Sequence, residues 1–376
     1  MGDFTERVKR KNKYNLSKLP LTISAKYGLV DQITFFNKIV ASTDMSNYYL
    51  LKKGEFAYNK SYSNDYPWGA IKRLDNYEQG VLSALYICFT TQDNVESDFI
   101  LQYFESPKWH KSVSEIAVEG ARNHGLLNIS VQNFFQTYHY VPKEKKEQTK
   151  IATLLHLIDE RIATQNKIIE DLKKLKCAII EKHYRQAKLH KYRICDLGVP
   201  FSVGSLSKED LSEKGHECIL YGELFTTYDC VINEIKSHTN KIANMTLSQK
   251  RDLLFPSSTT VDAVSLISPS VIDIPNVVLG GDMFGIHIDK KFNAYYLSYY
   301  INIITRKKLA IYAKGSTIIH LHYKDIAKAQ LLLPDLCEQD RIAKCMMAED
   351  DKIKVEEQLM TKLEEQKQYL LRQMFI

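Results

Sequence analysis

Residues 142–180 read PKEKKEQTKIATLLHLIDERIATQNKIIEDLKKLKCAII, and residues 334–375 read PDLCEQDRIAKCMMAEDDKIKVEEQLMTKLEEQKQYLLRQMF. The second is a copy of the first. Pro142 matches Pro334, Glu147-Gln148 matches Glu338-Gln339, Ile151-Ala152 matches Ile342-Ala343, and Asp159 matches Asp350. Ile162 then meets Ile353, Leu172 meets Leu363 and Lys176 meets Lys367, at an offset that is constant after one residue of slippage behind the proline. Two copies so far apart describe a chain of two similar halves rather than a solenoid.

After its proline neither copy has a Gly or a further Pro, and the apolar residues recur at 3–4 spacing. Leu155, Ile158, Ile162, Ile169, Leu172 and Ile179 lay one stripe down a helix, which Ile151, Leu154, Ile168 and Leu175 widen. The second stripe, Ile342, Met346, Ile353, Leu363, Leu370 and Met374, is patchier and is interrupted by Glu349 and Glu356. Each proline sits just outside its helix, where a missing N–H does no harm. Bare in water, such stripes are a liability; two in one chain can bury each other. Residues 143–185 carry a surplus of four positive charges and residues 335–376 a deficit of three, which favours that pairing. A surface helix packed on its own domain, or homodimerisation through the stripe, are the other readings.

The segments ahead of the helices, 1–142 and 186–334, are each of domain length. Both mix β-rich runs with short helices. In the first half the runs are Tyr48–Leu51 and Ala84–Phe89, with a helix over Asp98–Phe104 and a strand in GDFTERVKRKN. In the second half they are Asn276–Leu279 and Gly285–Ile288, with a helix over Ala294–Ile304. Each half therefore reads as an α+β domain followed by a long helix, 143–185 in the first and 335–376 in the second.

Seven scattered cysteines with no C-x-x-C spacing read as reduced thiols of a cytoplasmic protein, without disulfide framework or zinc knuckle. The start, MGDFTERVKRKNK, lacks the apolar core of a secretory signal, and Glu6 stands where a myristoylation signal needs Ser or Thr. No apolar run is long enough for a membrane span.

The net charge of +6 points toward a polyanionic partner. Basic and hydrogen-bonding residues crowd the expected loops: Lys9, Arg10, Lys11, Asn12 and Lys13 at the N-terminus, then Lys60, Tyr62, Tyr66, Trp68, Lys72 and Arg73, and Arg122 in EGARNHGLLNIS. The second half offers Lys236, His238, Asn240 and Lys241, and later Lys314, Ser316 and Thr317. Lys and Arg neutralise phosphates, while Arg, Asn and Ser read base edges in the major groove.

Catalytic constellations are poor. NDYPWG at 64–69 is a turn, with one proline misplaced for an amino-methyltransferase loop. Gly280-Gly281-Asp282 lacks phosphate-loop spacing, and His320-x-His322 lacks a third metal ligand. The chain is expected to catalyse nothing and to hold no metal.

In order and duplication these motifs resemble the DNA-specificity (S) subunits of type I restriction–modification systems. The resemblance rests on the P…EQ..IA..L...D..I helix and its echo, on YLLKKGEFAYNKSY with GVLSALYICF and EGARNHGLLNIS in the first half, and on DLLFPSSTT, VVLGGDMF and KGSTIIHL in the second. It implies two target-recognition domains separated by two long antiparallel helices, with an internal pseudo-two-fold repeat. Each domain would read half of a bipartite target in double-stranded DNA. The helices would act as a ruler and dock two adenine methyltransferase subunits, and restriction/translocase subunits would join them. No cofactor is implied for this chain; S-adenosylmethionine, ATP and Mg belong to the partners. Some members carry an additional N-terminal helical segment; this first domain begins almost at Met1, which is expected to loosen its contact with the C-terminal helix. The rival readings are a coiled-coil scaffold without DNA binding and a methyltransferase with its own recognition domain.

Overall fold

The computed structural model describes residues 1–24, 27–62, 66–117 and 125–375. Contacts divide the chain into two units: Met1–Asn166 with Gln358–Ile376, and Lys167–Glu357.

The first unit is organised by a four-stranded antiparallel sheet of β1 (Thr5–Arg7), β2 (Phe56–Asn59), β3 (Ala70–Arg73) and β4 (Ile87–Thr91), in the order β1-β4-β2-β3. Alternation along the strands sends successive side chains to opposite faces, and both faces are buried. Phe56, Tyr58, Ile71, Ile87 and Phe89 enter an aromatic core, whereas Ala57, Ala70 and Cys88 face a second, smaller one. Cross-strand partners Phe56 and Phe89 stack with their rings 5.3 Å apart and nearly parallel. A helix, α1 (Ser97–Glu105), follows β4 and lays Phe99, Ile100, Tyr103 and Phe104 on the aromatic face. The expected N-terminal strand is only the three residues of β1, and Ala84–Tyr86 form the turn ahead of β4 rather than its start. A hairpin (Leu21–Ser24 with Gly28–Asp31) and the antiparallel pair Tyr49–Lys52 and Gln79–Leu82 complete the small-residue side.

One long helix, α2 (Lys145–Gln186), begins in this unit and is continued in the second. At about 1.5 Å per residue it runs ~63 Å. Its first turns send Ala152 and Leu155 into the aromatic core.

The second unit repeats the plan. β5 (Gly198–Ser202), β6 (Asp252–Pro256), β7 (Ser270–Ile272) and β8 (Met283–Ile288) form an antiparallel sheet in the order β5-β8-β6-β7, to which Val231–Ile232 adds a parallel edge. Leu253, Phe255, Val271, Phe284 and Ile286 face the large core, and Leu254, Ile272 and Met283 the other. Phe255 stacks on its cross-strand partner Phe284 at 5.0 Å. A helix, α3 (Ala294–Tyr300), again follows the last strand of the sheet. It is shorter than the expected Ala294–Ile304, because Ile301–Thr305 widens into a π-helical turn before Arg306–Ala310 resumes. A mixed five-stranded sheet, in which His216–Leu220 runs parallel to Val278–Gly280, has no counterpart among the described residues of the first unit.

The C-terminal helix, α4 (Leu336–Gln373), runs ~57 Å by the same rise and is shared by both units. Its start buries Ile342, Ala343 and Met346 with Ile180 of α2 in the second unit's large core. Its end buries Leu371 and Phe375 among Phe99 and Tyr103 of the first unit, with rings 5.4 and 5.5 Å from that of Phe375. The loosened contact expected of the C-terminal helix with the first domain is not found there. Within the second unit ion pairs link Lys173 to Glu357 and Lys176 to Asp350, a hydrogen bond links His183 to Glu338, and this falling order of partners makes the helices antiparallel.

The Pro…Glu-Gln signature has a structural cause. Gln148 donates its amide to the carbonyl of Pro142 (2.7 Å) and accepts the Glu96 N–H at the start of α1 (2.7 Å). Gln339 does the same with Pro334 (2.8 Å) and the Asn293 N–H at the start of α3 (3.0 Å). Both glutamines are 1% exposed, so each long helix is clasped to the first helix of its own half by satisfied, buried hydrogen bonds.

Candidate nucleic-acid interface

Of the helix stripes, Leu155, Ile158, Ile169, Leu172, Ile342, Met346, Ile353 and Leu363 are buried, and Ile162, Ile179 and Leu370 are half-buried. Leu154, Ile168 and Leu175 do not widen the seam. They are 43%, 40% and 48% exposed and, with Leu157 at 55%, form a separate row along α2. A seam with a repeat of about 3.5 residues leaves such flanking positions outside the helix contact.

In the first unit the expected DNA contacts divide by surroundings. Asn12 is fully buried, its amide donating to the carbonyls of Ser17 and Met45, and Lys72 is buried against Glu105 at 2.6 Å. Both hold the fold together and are withdrawn from the interface. Arg10 is bound to Glu55 at 2.6 Å, and Arg73 bridges Asp75 and Asp98, each at 2.7 Å. Trp68 packs on the aromatic core, Tyr66 is half-buried, and Arg122 lies outside the described residues. Lys9 and Lys13 are exposed, while Lys11 reaches the Asn47 carbonyl and lies over the Tyr49 ring. Lys60 and exposed Tyr62 sit together because the Tyr62 N–H donates to the Gly125 carbonyl and the Leu127 N–H to that of Lys60.

Sequence reasoning missed a run after the first hairpin. Ile33, Phe35, Phe36, Ile39 and Val40 are all exposed, following an Asp31 cap and interrupted by Asn37 in the left-handed region. Their only signal is a string of apolar residues, QITFFNKIV, with neither helical nor alternating period.

In the second unit Lys236 and Asn240 are exposed, His238 is half-buried on a short strand, and Lys241 pairs with Asp210 at 3.1 Å. Lys314 pairs with Asp325 at 2.8 Å, a hydrogen bond that lowers the Asp325 pKa, and Ser316 and Thr317 stand exposed on the turn beyond it. That turn is where separate motifs meet. Ser258 and Thr259 of DLLFPSSTT pair with His320 and Ile319 of KGSTIIHL, and the Ser257 N–H donates to the carbonyl of Asp282 in VVLGGDMF at 2.7 Å.

Beside this junction lies a groove of about 570 Å3. Hydroxyls of Thr226, Ser258, Thr259, Thr260, Ser265 and Ser268 line it, with Tyr221, Val261 and Ile318 as apolar wall and Arg306 as the single charged residue. The guanidinium of Arg306 is fixed by the carbonyls of Val264 (2.8 Å) and Ser265 (3.3 Å). Hydroxyls, apolar faces and one arginine, with no carboxylate in the lining, suit a phosphate backbone and base edges.

Among the described residues no group of three His, Cys, Asp or Glu could hold a metal ion, and no helix is long and apolar enough to cross a membrane. His320 and His322 lie ring over ring at 6.1 Å, with Asp282 4.0 Å from His320.

The sequence model of the family described as Type I restriction modification DNA specificity domain matches residues 202–365. No curated protein matches the chain. Among solved structures, a chain described under complex assembly and conformational transition of the type I R-M system is similar over 100% of this chain and 96% of its own, at 14% identity and TM-score 0.61. The S subunit of a type I restriction-modification system from M. genitalium is similar over 100% and 94%, at 15% identity and TM-score 0.58. The chain thus carries a match to the type I specificity domain in its second half and shares its fold, over its whole length, with a type I S subunit.

Proposed function

We propose that this chain is the specificity subunit of a type I restriction–modification complex, that it reads a bipartite DNA target, one half with each unit, and that its long helices dock two adenine methyltransferase subunits. S-adenosylmethionine would be bound by those subunits, and ATP with Mg by restriction/translocase subunits joined to them. The observation that carries the reading is duplication: sheet order, stacked phenylalanines, glutamine clasp and long helix each occur once per half. A reader of one continuous site has no use for two such frames.

The groove and the Lys314–Thr317 turn are the base-reading candidates of the second unit. The Lys9–Lys13 turn, Lys60 and Tyr62 are those of the first. Methylome sequencing of cells with and without the gene, in the presence of the methyltransferase subunits, tests the reading. It predicts one split adenine-methylated sequence that depends on the gene. Matched heptads inserted after Asn166 and after Leu359 should lengthen the spacer and leave both half-sites intact. An unchanged spacer defeats the ruler, and gene-independent methylation defeats the reading.

A further inference from the structure

Two ion pairs on the long helices differ from the other lysine and arginine pairs on these helices. The Lys176 side chain is 15% exposed and that of Lys367 is 17%, whereas Lys173, which meets Glu357, is 58% exposed. Each of the two lies in a three-helix knot, one knot per unit. In the first unit Asp159 of α2 accepts Lys367 of α4 on one carboxylate oxygen (2.5 Å) and the amide of Gln102 of α1 on the other (2.9 Å). In the second, Asp350 of α4 accepts Lys176 of α2 on one oxygen and the hydroxyl of Tyr299 of α3 on the other (2.6 Å). Lys176 also lies over the Tyr299 ring, 5.0 Å from its centre.

The knots are copies of each other. Gln102 and Tyr299 stand at the same distance along the chain from Glu96 and Asn293, the residues held by the glutamine clasps. Asp159 and Lys176 are as far apart along α2 as Asp350 and Lys367 are along α4, so one antiparallel register satisfies both. A slip of one heptad in one direction would set Lys176 against Ala343, Lys367 against Ala152, Asp159 against Met360 and Asp350 against Ile169. All four charges would then lose their partners.

Covered ion pairs contribute little net stability compared with apolar replacements, and their best-attested use is to specify register. Apolar packing is non-directional and tolerates small shifts and rotations. A carboxylate shared between an ammonium on one helix and a hydrogen-bond donor on another does not. Resting on the bipartite reading above, we propose that Gln102, Asp159 and Lys367, with Tyr299, Asp350 and Lys176, are positioning residues that fix each recognition unit on the helix pair and so set the spacer length of the target.

The test uses the full chain with its methyltransferase subunits and reads methylated sequences genome-wide. Asp159→Leu with Lys367→Met and Gln102→Met removes one knot without leaving the Gln102 amide buried and unpaired. The expected result is an undiminished melting temperature, unchanged half-sites, and methylation at spacers one base pair shorter and longer than the parental one. Asp159→Lys with Lys367→Asp restores the pair in reverse, since the Gln102 oxygen, buried without a hydrogen bond, can turn to accept the lysine; it should return the single spacer. Retention of one parental spacer in the apolar variant overturns the proposal. Loss of methylation at every spacer that the exchanged pair fails to restore also overturns it, because that marks a merely structural contact. If the unaltered chain directs no split-site methylation, the bipartite reading itself has failed.

Discussion

The two units share a frame and differ in what they hang on it. In both, four antiparallel strands in the same order carry a stacked phenylalanine pair, a helix follows the last of these strands, and a glutamine ties that helix to the long one. At the periphery the first unit carries a basic N-terminal turn and an exposed apolar run, Ile33–Val40. The second carries an extra mixed sheet and a hydroxyl-lined groove. Under the proposed function, the parts held constant would serve assembly and the parts that diverge two different half-sites.

That comparison can be broken most directly at the stacked phenylalanines. Phe56→Ala and Phe255→Ala each remove a fully buried ring and should each cost about 3–5 kcal/mol. Calorimetry should show the two losses to be similar; a loss confined to one unit would mean that the frames are not equivalent. Gln148→Ala and Gln339→Ala leave a buried N–H without its acceptor and should each cost about 1–3 kcal/mol, read by chemical denaturation.

A pH titration sharpens a difference. His139 in the first unit is held by the Tyr103 hydroxyl (2.9 Å) and the Thr137 hydroxyl (2.7 Å). Burial first, and the nearby N-terminal ammonium second, push its pKa down to about 3. The unfolded chain takes up a proton near pH 6.5 that the folded one refuses, so the stabilisation is complete above pH 6.5 and is lost as pH falls toward 3. The slope should be about 1.4 kcal/mol per pH unit in the middle of that window, and His139→Gln should remove it. The smallest effect on stability belongs to the periphery. Thr259→Val in the groove should leave melting within about 0.5 kcal/mol of the parent while altering only the half-site read by the second unit, as methylome sequencing would show.

The long helices were legible because 3–4 periodicity over some forty residues without Gly or Pro has few other solutions, and both start within two residues of the positions expected. The duplicated order of strand, helix and long helix was legible for the same reason. The knots were not: Lys176 and Asp350 read as ordinary surface charges until the fold covers them. Asn12 and Lys72 misled in the opposite sense, since nothing local distinguishes a buried polar side chain with partners from a solvated one. The groove joins residues from 221 to 318, a separation that no spacing rule spans.

The row Leu154, Leu157, Ile168 and Leu175 lies outside the helix seam and open to water. Bare hydrocarbon at that density makes a polypeptide self-adhesive. Handled alone, this chain should precipitate as it is concentrated, and its soluble yield should rise with a partner that shields that row.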